Sequence, residues 1–194
     1  VSAAAAGVIP GSGSLTAKNL DLTVSAQGGT AAGEDATVNV DAEGLTQKVS
    51  PGSASDSGSV RVTGATRLNI TAAGGNTTGT GSRIATTASA TNAIGIENVI
   101  SENSSSPYNP AAATMELGTV EGSVTATGGT VNTDGVSTEN FAIITTAMGV
   151  MNGVQGEGFG NIDGGSLSLD SLKLNVTGTG AKLTGSTESS LTQV

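Results

Sequence analysis

The chain has 194 residues, thirty of them glycine, with 2% aromatic and 12% charged residues and a net charge of −9, against a usual charged fraction of about 25%. It has no Cys and no His, which removes disulfide staples, thiol nucleophiles, imidazole-based triads and the usual zinc ligands. The bases are Lys18, Lys48, Arg61, Arg67, Arg83, Lys173 and Lys182, and no three of them cluster, so the basic patch that phosphate recognition needs is missing and no nucleic acid partner is expected.

The opening VSAAAAGVIP has neither a charged segment leading into an apolar one nor a long apolar run, so neither a signal peptide nor a membrane span is expected in this segment. GSLTAKNLDLTVSAQGG, Gly13 to Gly29, follows. Leu15 and Ala17 are two apart, then Leu20, Leu22, Val24 and Ala26 alternate. Period two marks a strand with one buried face. The three-residue step from Ala17 to Leu20 shifts the phase, as a corner between two sheets would. DAEGLTQ then carries Gly44, and residues 48–58 read as a plain loop.

The next copy places Val60, Val62, Ala65, Leu68, Ile70 and Ala72 inward before Gly74-Gly75. It is one residue longer, which reads as one added corner residue. IATTASATNAIGIENVI is rich in Ala, but its Thr and β-branched density favours strand over helix. Residues 101–114, SENSSSPYNPAAAT, hold two of the four prolines and the only Tyr, and read as an inserted loop. Tyr108, with Asn109 beside it, is the candidate contact point, because a tyrosine offers an apolar ring and a polar tip. EGSVTATGG and TAMGVMN form the third copy. GFGNIDGG resembles a single glycine-aspartate turn of the calcium-binding nonapeptide kind. Asp163 is therefore a weak calcium candidate, and a plain turn is the favoured reading. GSLSLDSLKLNVTGTG closes the series with Leu167, Leu169, Leu172, Leu174 and Val176.

The first residues of the Gly-Gly landmarks, 28, 74, 128 and 180, are spaced by 46, 54 and 52. Between them lies a second landmark, a glycine within an apolar triplet: Gly44, Gly95 and Gly149. Each unit of about fifty residues thus divides into halves of 23 to 27, and a half is long enough for one coil of short strands and bends. The expectation is an all-β, parallel β-helix (β-solenoid) of about seven to eight coils with one or two inserted loops, roughly 35 Å long. The chain reads as one segment, 1–194, with units at about 13–57, 58–114, 115–164 and 165–194. Residues 1–12 complete the last unit by wrap-around, because Gly7 sits in an Ala-Gly-Val triplet like the second landmark. That wrap-around suggests one period of a longer array or a head-to-tail filament. The expected core stacks contain Leu15, Leu20, Leu22, Val24, Val60, Leu68, Ile70, Leu167, Leu172, Leu174 and Val176.

These repeats, with their alternating Leu and Val runs ending in Gly-Gly and their Ala/Thr-rich second halves, resemble the passenger repeats of bacterial autotransporters and related large surface adhesins. The resemblance covers about residues 3–194 and is one of period and composition. It implies a right-handed helix carried outside the cell, at the bacterial surface. The expected function is a non-enzymatic structural or adhesive fibre segment. Its expected partners are further copies along the axis and a host-cell or neighbouring-cell surface, and no cofactor is expected. An ice-binding solenoid and a polysaccharide-acting β-helix enzyme are the alternatives. For the enzyme, the only carboxylate groupings are Asp35, Asp41 and Glu43, and Glu97 with Glu102. For ice binding, the Thr residues of TATGGT and NTTGTG read as loop positions and do not form a flat array.

Overall fold

The structure, a computed structural model, describes residues 1–8, 13–33, 35–49, 57–79, 86–101, 112–132, 140–155 and 165–184. Among these are thirteen strands and no helix: β1 (Ser2–Val8), β2 (Ser14–Ala17), β3 (Leu20–Gln27), β4 (Thr30–Gly33), β5 (Thr37–Val49), β6 (Ser57–Ala73), β7 (Asn76–Gly79), β8 (Thr86–Ser101), β9 (Ala112–Thr127), β10 (Thr130–Asn132), β11 (Asn140–Gln155), β12 (Ser166–Thr179) and β13 (Lys182–Thr184). Sheet A stacks β1, β5, β8 and β11. Sheet B stacks β2 and β3, then β6, β9 and β12, and sheet C stacks β4, β7, β10 and β13. Every pairing is parallel. The chain runs A, B, C and returns to A one layer on, an arrangement consistent with a β-solenoid.

Register corrects the coil count. Leu22 lies beside Leu68, Leu68 beside Gly122, and Gly122 beside Leu174. The spacings of 46, 54 and 52 are therefore the lengths of whole windings. There are four windings among the described residues, not seven to eight, and at ~4.8 Å each they stand about 19 Å tall. The physical reason is strand length. The coil estimate assumes strands of four to six residues, whereas β5, β6 and β8 run for 13, 17 and 16 residues. The two halves of a unit are two walls of one winding.

The apolar columns form as the alternation requires. Leu15, Val60, Met115 and Leu167 align in sheet B, as do Val24, Ile70, Val124 and Val176. Val60, Ile70, Met115 and Val124 are buried from solvent. Across the interior, sheet A answers this last column with glycine. A Cβ at Gly7 would meet Val24 Cγ2 at 3.1 Å, one at Gly44 would meet Ile70 Cδ1 at 2.9 Å, and one at Gly95 would meet Val124 Cγ2 at 2.8 Å. The second landmark is thus where two sheets approach too closely for any side chain on one of them. Tight packing of this kind tolerates no added methyl without movement.

The extra residue of the second copy sits in a bulge. Pairing of β6 with β9 shifts between Val62 and Ala65. There Gly64 N donates to Lys18 O at 2.7 Å and Ala65 N donates to Asn19 Oδ1 at 3.0 Å. The bulge displaces Ala65, expected inward, and puts Thr66 on the inner row between Leu20 and Val120, fully buried.

The corner from sheet B to sheet C always takes two residues: Gly28-Gly29, Gly74-Gly75, Gly128-Gly129 and Gly180-Ala181. Backbone hydrogen bonds continue round it. Gly74 N donates to Thr127 O at 2.7 Å, and Thr130 N donates to Gly75 O at 3.1 Å. The corners into sheets A and B differ in length between windings. Of the expected loop 48–58, Lys48 and Val49 belong to β5 and Ser57 and Gly58 to β6. Of 101–114, Ser101 ends β8 and Ala112 to Thr114 begin β9. The rest of both loops lies outside the described residues.

Candidate functional site: the charged column and the open strand edges

Side chains between the inward rows of sheet B face solvent, because successive residues of a strand point to opposite faces. One outward column holds Asp21, Arg67, Glu121 and Lys173, so the sign of charge alternates from winding to winding. Arg67 Nε is 2.8 Å from Glu121 Oε1, and its Nη1 is 3.4 Å from Asp21 Oδ1. The hydrogen bond to Glu121, then that to Asp21, holds the Arg67 guanidinium above the ordinary arginine value. A second column pairs Arg61 Nε with Glu116 Oε2 at 3.2 Å. Two depressions mark this face. One, of about 540 Å³, is lined by Arg67, Glu121, Gly122, Lys173, Leu174 and Asn175. The other, of about 290 Å³, lies between Arg61, Glu116 and Asp170. Gly122 has φ +140°, and a Cβ there would overlap the Leu68 carbonyl. This explains why the third copy, EGSVTATGG, lacks the leucine of its neighbours.

A second polar cluster lies past the glycine column of sheet A. Glu97 is only 1% exposed, and Lys48 Nζ reaches its Oε2 at 3.0 Å and Glu43 Oε1 at 3.4 Å. Burial works to lower the Lys48 pKa, but hydrogen bonding and attraction from Glu97 and then Glu43 outweigh it and raise it above the ordinary lysine value. Beside it Asn98 Nδ2 donates to Asn152 Oδ1 at 2.7 Å, Ser166 O at 3.1 Å and Ala113 O at 3.2 Å. The bonds to Ser166 and Ala113 tie sheet A to sheet B. Gln47, one winding below Asn98, is fully buried, and neither end of its amide finds a hydrogen-bond partner among the described residues.

Among the described residues, the last layer's strands are unpaired on one side. β12 and β11 stand at the ends of their sheets, and the inward rows there are open. Leu172 is 49% exposed and Val176 44%, although both continue the columns of Val120 and Val124. At the other end β1, β2, β3 and β4 are likewise terminal.

Of the core residues expected from sequence, Val24, Val60, Leu68 and Ile70 are buried, and Leu15, Leu20, Leu22, Leu167 and Leu174 pack half-buried against them. Tyr108, Asn109 and Asp163 lie outside the described residues. The carboxylates do not group as the sequence spacing suggests. Asp41 accepts a hydrogen bond from Asn92 at 2.8 Å, and Glu43 joins Glu97 through Lys48. Glu102 lies outside the described residues. No group of three or more His, Cys, Asp or Glu that could hold a metal occurs among the described residues. The charged column went unread in the sequence, although its members recur at 46, 54 and 52 residues, like the glycines. No helix among the described residues is long and apolar enough to cross a membrane. No family model, curated protein or solved structure matches the chain.

Proposed function

We propose that the chain is a structural or adhesive segment of a bacterial surface fibre, wound as a right-handed β-helix. The observation that carries this reading is the run of in-register apolar columns through all four windings. Such columns make a stiff rod whose length scales with winding number. Right-handed winding follows from the twist of L-amino-acid strands, which makes parallel crossovers right-handed in about 98% of cases. The resemblance to autotransporter passenger repeats supplies the extracellular setting. The acidic surface suits a soluble exterior. In this reading the protein is not an enzyme and needs no cofactor; its partners are further copies and a cell surface. Protease treatment and antibody labelling of intact source cells test it. The expected result is removal of the chain from the outside without lysis, and protection until lysis would overturn it.

One observation favours a second reading. The outward column of sheet B next to the Gly-Gly corner holds Ser25, Thr71, Thr125 and Thr177, and Thr127 and Thr179 stand two residues on. Of these, Thr125 and Thr127, in TATGGT, are strand positions, not the loop positions expected from sequence. A column of threonines at the regular inter-strand spacing is the feature an ice-binding face needs. Thermal hysteresis in a dilute solution of the chain tests that reading, and its absence removes it.

A further inference from the structure

We infer that the two open ends bind each other head to tail, a second copy seating its β2 and β3 on β12 in one defined register. This rests on the fibre reading and specifies the contact within it. A third copy can add in the same way, so the assembly is open rather than closed.

Three observations fix the partner and the register. The charged column begins with Asp21 and ends with Lys173. Placing Asp21 of the next copy beside Lys173 continues the alternation of sign. The same register brings a second opposite pair together with the polarity reversed. Asp170 follows Leu169, which stands in the column of Ala17, Val62 and Leu117, and Lys18 follows Ala17 in the first winding. Asp170 and Lys18 therefore face one another across the junction. Neither Lys173, Asp170 nor Lys18 makes an ion pair among the described residues.

The apolar rows continue in that register too. Leu172 meets Leu20, Leu174 meets Leu22 and Val176 meets Val24, which covers the exposed Leu172 and Val176. A slip of one residue would turn these rows outward.

The third observation is Gly149. In the windings below, the glycine column is enforced twice, by the β-branched side chain opposite and by the glycine carbonyl of the next layer. A Cβ at Gly7 would lie 2.8 Å from Gly44 O, and one at Gly95 would lie 2.7 Å from Gly149 O. At Gly149 no such carbonyl stands among the described residues, where a Cβ would meet Val176 Cγ2 at 3.0 Å and Leu174 Cδ1 at 3.6 Å. A second copy bringing Gly7 over Gly149 supplies the missing layer.

Sedimentation velocity and electron microscopy of the purified full chain, at 20 mM and 500 mM salt and over a range of concentrations, test this. The expected result is a concentration-dependent series of oligomers extending to rods. Lys173→Glu or Asp21→Lys alone should weaken association by roughly ten-fold at low salt and less at high salt. Mixing the two variants, or combining them in one chain, should restore it. Denaturation midpoints close to wild type show that the variants fold. A monomer at every concentration, a closed dimer that never extends, or failure of the mixture to recover would each overturn the head-to-tail contact. None of these outcomes bears on surface location, which the labelling of intact cells tests separately.

Discussion

In sheet B the inward rows are Leu, Val, Ile, Met and Ala from the first winding to the last, with Thr66 at the bulge, Gly122 and Gly178 the exceptions. Past the glycine column of sheet A two polar buried rows, Thr46 with Glu97 and Gln47 with Asn98, are set between two apolar ones, Leu45 with Ile96 and Val49 with Ile100. In the middle windings both kinds of row are dry, but they are held by different physics. The apolar rows gain from every layer stacked on them, by about 25 cal/mol for each Å² removed from water. The polar rows gain only where a partner is in place, and an unmatched buried group costs as much as a good contact contributes. The comparison teaches that one wall sets how firmly the windings stack and the other sets how the two sheets meet.

The largest effect expected is in the apolar wall. Ile70→Ala removes a buried side chain with layers on both sides and should cost about 4 kcal/mol in urea denaturation, while Val24→Ala in the end winding should cost about half that. If the two are equal, the columns do not act as stacks. Next comes Lys48→Met, which strips Glu97 of its partner. About 3 kcal/mol is expected, the low end for a buried charge left alone, because Lys48 itself is partly solvated.

This variant also changes the alkaline limb. The folded pKa of Lys48 is raised above its ordinary 10.5. Its contribution is therefore full below that ordinary value and lost as pH rises through the higher folded one. Denaturation midpoints followed from pH 8 upward should show this loss in the wild type and a shallower fall in Lys48→Met.

Smaller effects separate the polar rows from the glycines. Gly95→Ala, enclosed by Gly149 O and Val124, should cost about 2 kcal/mol, and Gly149→Ala less than half of that in the monomer. Asn98→Leu breaks the bonds between the sheets and should cost about 2 kcal/mol, whereas Gln47→Met, which removes an amide with no hydrogen-bond partner among the described residues, should be within about 0.5 kcal/mol of neutral or stabilising. A large loss for Gln47→Met would show that its amide has a role the packing does not reveal.

The strands of sheet B were legible in the sequence because alternation of Leu, Val and Ala reports burial on one face directly. The inward row of the first copy, Leu20, Leu22 and Val24, needed no other information. The winding length was misread because a glycine inside an apolar triplet looks the same whether it marks a corner or a close approach of two walls. Only the pairing of Gly95 with Val124 across the interior distinguishes them. Thr66 was missed for a related reason. A bulge changes which residue faces inward, and nothing in the side chains of Ala65 and Thr66 announces it. The charged column was visible as a spacing, but reading it requires knowing that the spacing is one full turn.

The two-residue glycine corner lets the hydrogen-bond ladder pass from sheet B to sheet C without a break, so any inserted residue there would interrupt it. Between sheet A and sheet B the interval instead varies in length: β5 ends at Val49 and β6 begins at Ser57, while β8 ends at Ser101 and β9 begins at Ala112. Foreign peptides grafted in these intervals would leave and rejoin the wall at the same edge in every layer. The molecule is therefore suited to hold a row of epitopes along one ridge, and lengthening any one of them need not disturb the next.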